Sequence, residues 1–119
     1  MPAVFDAKEL LERVDNDRAF LAELLAMLKV EGRRVLDQIR NAVSAGDVVA
    51  VAKSAHALKG MVSNFCAPTA HASASALEQL AKNGDLAALP PALLALEADL
   101  EQLIADLTVF LDASMTCES

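Results

Sequence analysis

The sequence predicts an all-α domain, an up-and-down antiparallel four-helix bundle with a short extra helix at its N-terminal end. Ala and Leu dominate a chain of 119 residues that is 55% apolar, with four Phe, no Trp and no Tyr, a vocabulary of strong helix formers. Apolar positions recur at helical spacing along the long segments. The breaks between those segments are short, and short connections set neighbouring helices antiparallel. A single domain is expected over 1–119, with its core at about 5–113, because a chain of this length buries one core without cross-links.

Taken in order, Asp6 followed three residues later by Glu9 has the logic of a capping box. Phe5 is placed as its staple, and a short first helix runs to about Val14. Asp15, Asn16 and Asp17 break it. Over 18–45, Leu21, Leu24, Leu25, Leu28, Val35, Leu36, Ile39 and Val43 mark one long amphipathic helix whose middle is weakened by Gly32. Gly46 and Asp47 read as a C-cap followed by an N-cap, so a third helix occupies about 48–65 before Cys66, Ala67 and Pro68 turn the chain. A fourth spans about 69–82 and stops at Asn83, Gly84 and Asp85. Leu93, Leu96, Leu100, Leu103, Leu107 and Phe110 define the last helix, with Pro90 and Pro91 suited to its first turn. The tail, 114–119, is expected to fray.

Composition removes several function classes. A net charge of −7 argues against nucleic acid as the principal partner, which would need a basic face. No run reaches the roughly 18 apolar residues of a membrane span, since the longest uncharged candidate, 86–96, is interrupted by Pro90 and Pro91. Cys66 and Cys117 form no CxxC or Cys/His metal pattern, and the early charges Asp6, Lys8 and Glu9 do not suit a secretory signal, so a reduced, cytoplasmic setting is expected. Glu-x-x-His, the mark of a di-metal carboxylate bundle, does not occur. Nor does a Gly-rich phosphate loop or Walker pattern, so ATP-dependent kinase activity is not expected.

The third helix carries the chemistry. At about 100° per residue, Val51, Ala55, Leu58, Val62 and Phe65 fall in one stripe, the core face. His56 falls outside it. Within roughly 60° of His56 come Lys53, Lys59, Gly60 and Ser63, with Val49 and Ala52 completing a solvent-facing surface. An exposed imidazole with a pKa near 6.5 is largely neutral at pH 7 and can attack through a ring nitrogen. A phosphoryl group placed there would meet positive charge from Lys59 and Lys53. Gly60 costs a helix about 1 kcal/mol relative to Ala, which fits clearance for an approaching partner. Counting outward from Ala67, Glu78, Gln79 and Lys82 on the fourth helix are the candidates to flank His56. His71, with no Lys-Gly companions, reads as an ordinary surface residue.

With these residues placed, Ala55-His56-Ala57-Leu58-Lys59-Gly60, then Ser63-Asn64 and Leu77-Glu78, closely resemble the signature of histidine phosphotransfer domains. Phe5-Asp6, Leu10-Leu11, Asp17 and Ala45-Gly46-Asp47 extend the resemblance over nearly the whole chain. It implies a monomeric bundle in which His56 accepts a phosphoryl group from one receiver-domain aspartate and passes it to another. Lys59, Gly60, Lys53, Ser63 and Lys82 would form the phosphate- and partner-binding surface. The partners implied are receiver domains of a hybrid kinase or a response regulator, without nucleic acid or direct membrane contact. No cofactor or metal of its own is implied, Mg²⁺ being expected on the receiver. The residues 2–6 resemble the linker exit before the C-terminal phosphotransfer module of a hybrid sensor kinase. One departure stands out: family members usually carry a glycine ten residues after the histidine, where this chain has Cys66. The alternatives are a helical adaptor without phosphotransfer, which leaves Gly60 and the Lys/His stripe unexplained, and a sensor-kinase dimerisation hairpin. The hairpin's His-Glu-x-Arg-Thr-Pro motif is absent here, where His56 continues Ala-Leu-Lys-Gly.

Overall fold

The computed structural model describes the backbone of residues 5–117 and the side chains of residues 5–112. Residues 2–4 of the expected linker exit, the end of the expected tail at 118–119 and the side chain of Cys117 lie outside that description. Among the described residues every regular element is helical.

Asp6 caps the first helix. Its carboxylate accepts the Glu9 amide at 3.1 Å and starts α1, Ala7–Arg13. Only half of the expected capping box forms, because the Asp6 amide donates instead to the Cys66 carbonyl at 2.9 Å, pinning the entry of the chain to the far end of the histidine-bearing helix. Phe5 is buried, and its ring meets Phe110 edge-on with centroids 5.4 Å apart. Asp15 and Asn16 then take left-handed backbone, φ 52° and 61°, a conformation that short polar side chains tolerate. Asp17 caps the next helix by accepting the Phe20 amide.

The long second helix of the bundle is α2, Arg18–Met27, continued through a π-helical turn, Leu28–Gly32, into α3, Arg33–Ala45. The interruption falls where Gly32 was expected to weaken it. Gly32 is buried, and a Cβ there would lie 3.2 Å from Leu28 Cδ1, so the turn accommodates a close approach between its own ends. Gly46, at φ +69°, caps α3 in the left-handed conformation that glycine adopts without strain. Asp47 accepts the Ala50 amide and opens α4, Val48–Ser63. Pro68 occupies the first turn of α5, Pro68–Lys82, one residue earlier than expected, where its missing N–H costs nothing. A 3₁₀ turn, Leu86–Ala88, capped by Asp85, leads into α6, Leu89–Cys117.

One core runs between these helices. Leu21, Leu25, Leu28, Val35, Leu36 and Ile39 face it from α2 and α3, Val51, Ala55, Leu58 and Val62 from α4, Ala70, Ala74, Leu77 and Ala81 from α5, and Leu93, Leu96, Leu100, Leu103 and Leu107 from α6. The alanines of α4 and α5 let those two helices approach closely, and their mutual packing is the most extensive in the bundle. That contact matters for function, since it sets α5 against the flank of α4 that carries His56. Arg33 grips Glu101 through two nitrogens, at 3.0 and 2.6 Å, and Arg40 reaches Glu97 at 3.0 Å, linking α3 to α6 across the exposed side. Exposed pairs of this kind contribute little, up to about 1 kcal/mol each.

Candidate functional site

Helix α4 exposes His56, whose side chain is 68% accessible, because the residues that define its core phase, Ala55 and Leu58, are completely buried one position before and two after. The expected surface is present around it: Lys53, Gly60 and Ser63 are exposed, Lys59 and Ala52 are half-buried, and Val49 is 75% accessible. A Cβ added to Gly60 would meet nothing within 4 Å, so the glycine leaves an open approach beside the imidazole.

The residue that organises the site lies on α5. Glu78 is 3% accessible, and its carboxylate gathers three nitrogen partners: His56 Nδ1 at 3.0 Å, Lys59 Nζ at 2.7 Å and Lys82 Nζ at 3.1 Å. The hydrogen bonds from Lys59 and then Lys82 outweigh the cost of burial and hold its carboxyl down at about 2. An ionised carboxylate can only accept. At pH 7 the proton of a neutral imidazole therefore sits on Nδ1, directed at Glu78, and Nε2 is left with its lone pair. The arrangement produces an exposed, oriented nitrogen nucleophile with fixed positive charge nearby.

Of the flankers expected on the fourth helix, Glu78 and Lys82 meet the histidine and Gln79 is turned to solvent. Lys59, expected to offset the charge of a phosphoryl group, has its ammonium held by Glu78. Lys53 and Lys82 line an open recess of about 340 Å³ with Ala52, His56 and Glu78, so two basic side chains border the space beside the ring. Ser63 turns back on its own helix and donates to the Gly60 carbonyl at 2.7 Å. His71 shares a cleft with Asp6, Glu9 and Cys66, an acidic setting that opposes phosphoryl chemistry. Sequence reasoning placed Glu78 beside the histidine but gave it no role. The available signal was its position, as far beyond the turn at Ala67 as His56 lies before it.

Cys66 shows what the departure at that turn does. Its φ is +52°, the left-handed region that glycine prefers. The turn keeps the glycine conformation with a side chain in place, and burial pushes the thiol pKa up, away from thiolate reactivity.

A helical bundle with an exposed histidine set against a buried carboxylate and two lysines defines a class of phosphoryl-carrying modules. The model of the Hpt domain matches residues 23–106, and the chain belongs to that family, whose members serve as phosphotransfer intermediates in two-component signalling and interact with receiver domains. Among solved structures it is similar to the histidine-containing phosphotransfer protein B (HptB) of Pseudomonas aeruginosa PAO1. That likeness covers 95% of this chain and 98% of the other at a TM-score of 0.86 and 21% identity, a shared fold. No curated protein sequence matches the chain. Among the described residues no helix is long and apolar enough to cross a membrane.

Proposed function

We propose that His56 is the phosphoryl acceptor of this domain, taking the group from a receiver-domain aspartate of a hybrid kinase and passing it to a response-regulator aspartate. The observation that carries the reading is the 3.0 Å contact between His56 Nδ1 and the buried Glu78 carboxylate, which fixes the tautomer that leaves Nε2 nucleophilic. In the forward step the Nε2 lone pair attacks the phosphorus of the aspartyl phosphate. The bond from phosphorus to the aspartate oxygen breaks, and the aspartate leaves as a carboxylate. The ring becomes an Nε2-phosphorylated imidazolium that keeps its Nδ1 proton, and Glu78 offsets the positive charge so formed. Return to a second aspartate is the same step in reverse.

Lys53 and Lys82 border the recess beside the ring, and Lys59 lies one turn along α4, so all three can balance the phosphoryl charge. Ser63 contributes a small polar surface beside Gly60. Mg²⁺ is assigned to the receiver, and the domain acts as a cytoplasmic monomer with no ATP chemistry of its own. The test incubates the chain and its His56→Gln variant with a phosphorylated receiver and follows acid-labile phosphate. Labelling of the unmodified chain alone is expected. Labelling of neither, across several receivers, would overturn phosphotransfer in favour of an adaptor bundle.

A further inference from the structure

Helix α6 is apolar on more than its core side. A helix lying on one core carries a single apolar stripe and turns polar residues outward, as α3 does with Arg33, Arg34, Asp37 and Arg40. On α6 an outward arc of about 60° instead holds Leu94, Ala98, Ala105 and Val109, all exposed, with Leu94 67% and Val109 66% accessible. Two polar residues border the arc, and both have partners within the chain. Glu101 is gripped by Arg33 at 2.6 Å, and Gln102 donates to Asp106 at 2.9 Å. The face lies away from the histidine. Helix α6 packs chiefly on α5, α2 and α3, and α4 on α5 and α3, so α4 and α6 stand diagonally across the bundle.

We propose that this outer face of α6 is a self-association surface, pairing antiparallel with the same face of a second copy of the chain. The order of residues along the face selects that occupant. Leu94 and Val109 lie equally far on either side of the point between Glu101 and Gln102, and so do Ala98 and Ala105. A two-fold axis through that point sets Leu94 of each copy level with Val109 of the other, and Ala98 level with Ala105. A surface that is its own complement under a two-fold is what an isologous contact requires, and an unrelated partner would impose no such symmetry. The alanines sit in the middle, where small side chains let two helix axes approach to about 8 Å. The larger Leu94 and Val109 close the ends.

Size and charge set the strength of the pair. A contact about 22 Å long and one helix wide falls short of the roughly 800 Å² per partner of a stable interface. The pair is therefore weak, with a dissociation constant on the order of 0.1–1 mM, and one chain remains the unit of transfer. Each copy brings a net charge of −7, so the pair strengthens as salt screens the repulsion. Because the face is diagonal to α4, both histidines stay open in the pair, and the inference stands apart from the phosphotransfer reading.

Sedimentation equilibrium of the full chain, from about 10 µM to about 1 mM in low salt and in about 0.5 M salt, tests the pairing. The unmodified chain is expected to pass from monomer towards dimer across that range, and further at high salt. Leu94→Glu and Val109→Lys should each weaken the pair tenfold or more. The double variant, Leu94→Glu with Val109→Lys, should recover it, since the two-fold sets opposite charges level. Val30→Glu adds the same charge as Leu94→Glu at an equally exposed apolar residue of the π-helical turn and should leave the pair unchanged. All three positions are exposed, so the variants fold as the unmodified chain does, which circular dichroism checks. A chain that stays monomeric to the top of the range at both salts would overturn the proposal. So would a dimer that Val30→Glu dissociates and Leu94→Glu does not, since another face would then own the contact. A double variant that pairs no better than the singles would overturn the antiparallel register and the proposal with it.

Discussion

Glu78 Oε2 lies 3.0 Å from His56 Nδ1, joining two helices across 22 positions of sequence. Because Glu78 also holds Lys59 and Lys82, one buried carboxylate sets both the tautomer of the histidine and the positions of the charges beside it.

Replacing Glu78 should therefore act through His56. Glu78→Ala frees both lysines and removes the acceptor from Nδ1–H, and transfer is expected to slow by tenfold or more. The ¹⁵N shifts of the imidazole should report a mixture of tautomers in place of one. Glu78→Gln keeps an acceptor oxygen, so it should preserve the tautomer and lose less rate. Unchanged shifts in Glu78→Ala would show that the contact does not fix the ring.

The same carboxylate makes a pH prediction. Its pKa is lowered from an ordinary 4.5 to about 2, through hydrogen bonds from Lys59 and then Lys82. A group with a depressed folded-state pKa stabilises the fold above its unfolded value and loses that contribution as pH falls through the folded one. The stability difference between the unmodified chain and Glu78→Gln should be full at pH 7, begin to shrink near 4.5 and be largely gone near 2. Urea unfolding of both at several pH values measures it. A difference that does not vary with pH would count against the ion cluster.

Exposure and burial on α4 give a paired prediction for stability. His56→Gln removes an exposed side chain and should shift unfolding by less than about 1 kcal/mol. Leu58→Ala, two residues on and fully buried, should cost about 2–5 kcal/mol through lost transfer energy and the cavity left behind. Equal losses in the two would contradict the phase of the helix.

Gly60 separates stability from recognition. With open space where a Cβ would go, Gly60→Ala should stabilise the helix by about 0.5–1 kcal/mol. Gly60→Trp should fold as well as the unmodified chain yet impede transfer from a receiver, because the bulk occupies the approach. Thermal unfolding and transfer kinetics on the three chains check both halves.

Much of this was legible in the sequence because its causes are local. Apolar spacing placed every long helix, Asp6 and Asp47 marked helix starts that their carboxylates do cap, and Gly46 marked a left-handed end. The phase of α4 put His56, Lys53, Gly60 and Ser63 on the solvent side. Boundaries moved by a residue or two where neighbouring helices intervene: α4 ends at Ser63, short of Phe65, and Gly32 became a π-helical turn rather than a mere weak point.

What only the tertiary structure decided is which side chains meet across helices. Sequence spacing fixes phase around one helix axis, but the distance between two helices and their relative slide are set by side chains packing at the interface. Here the small residues Ala55, Ala70, Ala74 and Ala81 draw α4 and α5 together. That approach buries Glu78, a residue type a sequence alone assigns to solvent, and turns Lys59 from a solvated charge into its partner. The sequence determined by itself that there is a helical bundle presenting one histidine. The packing of α5 on α4 decided how that histidine is held.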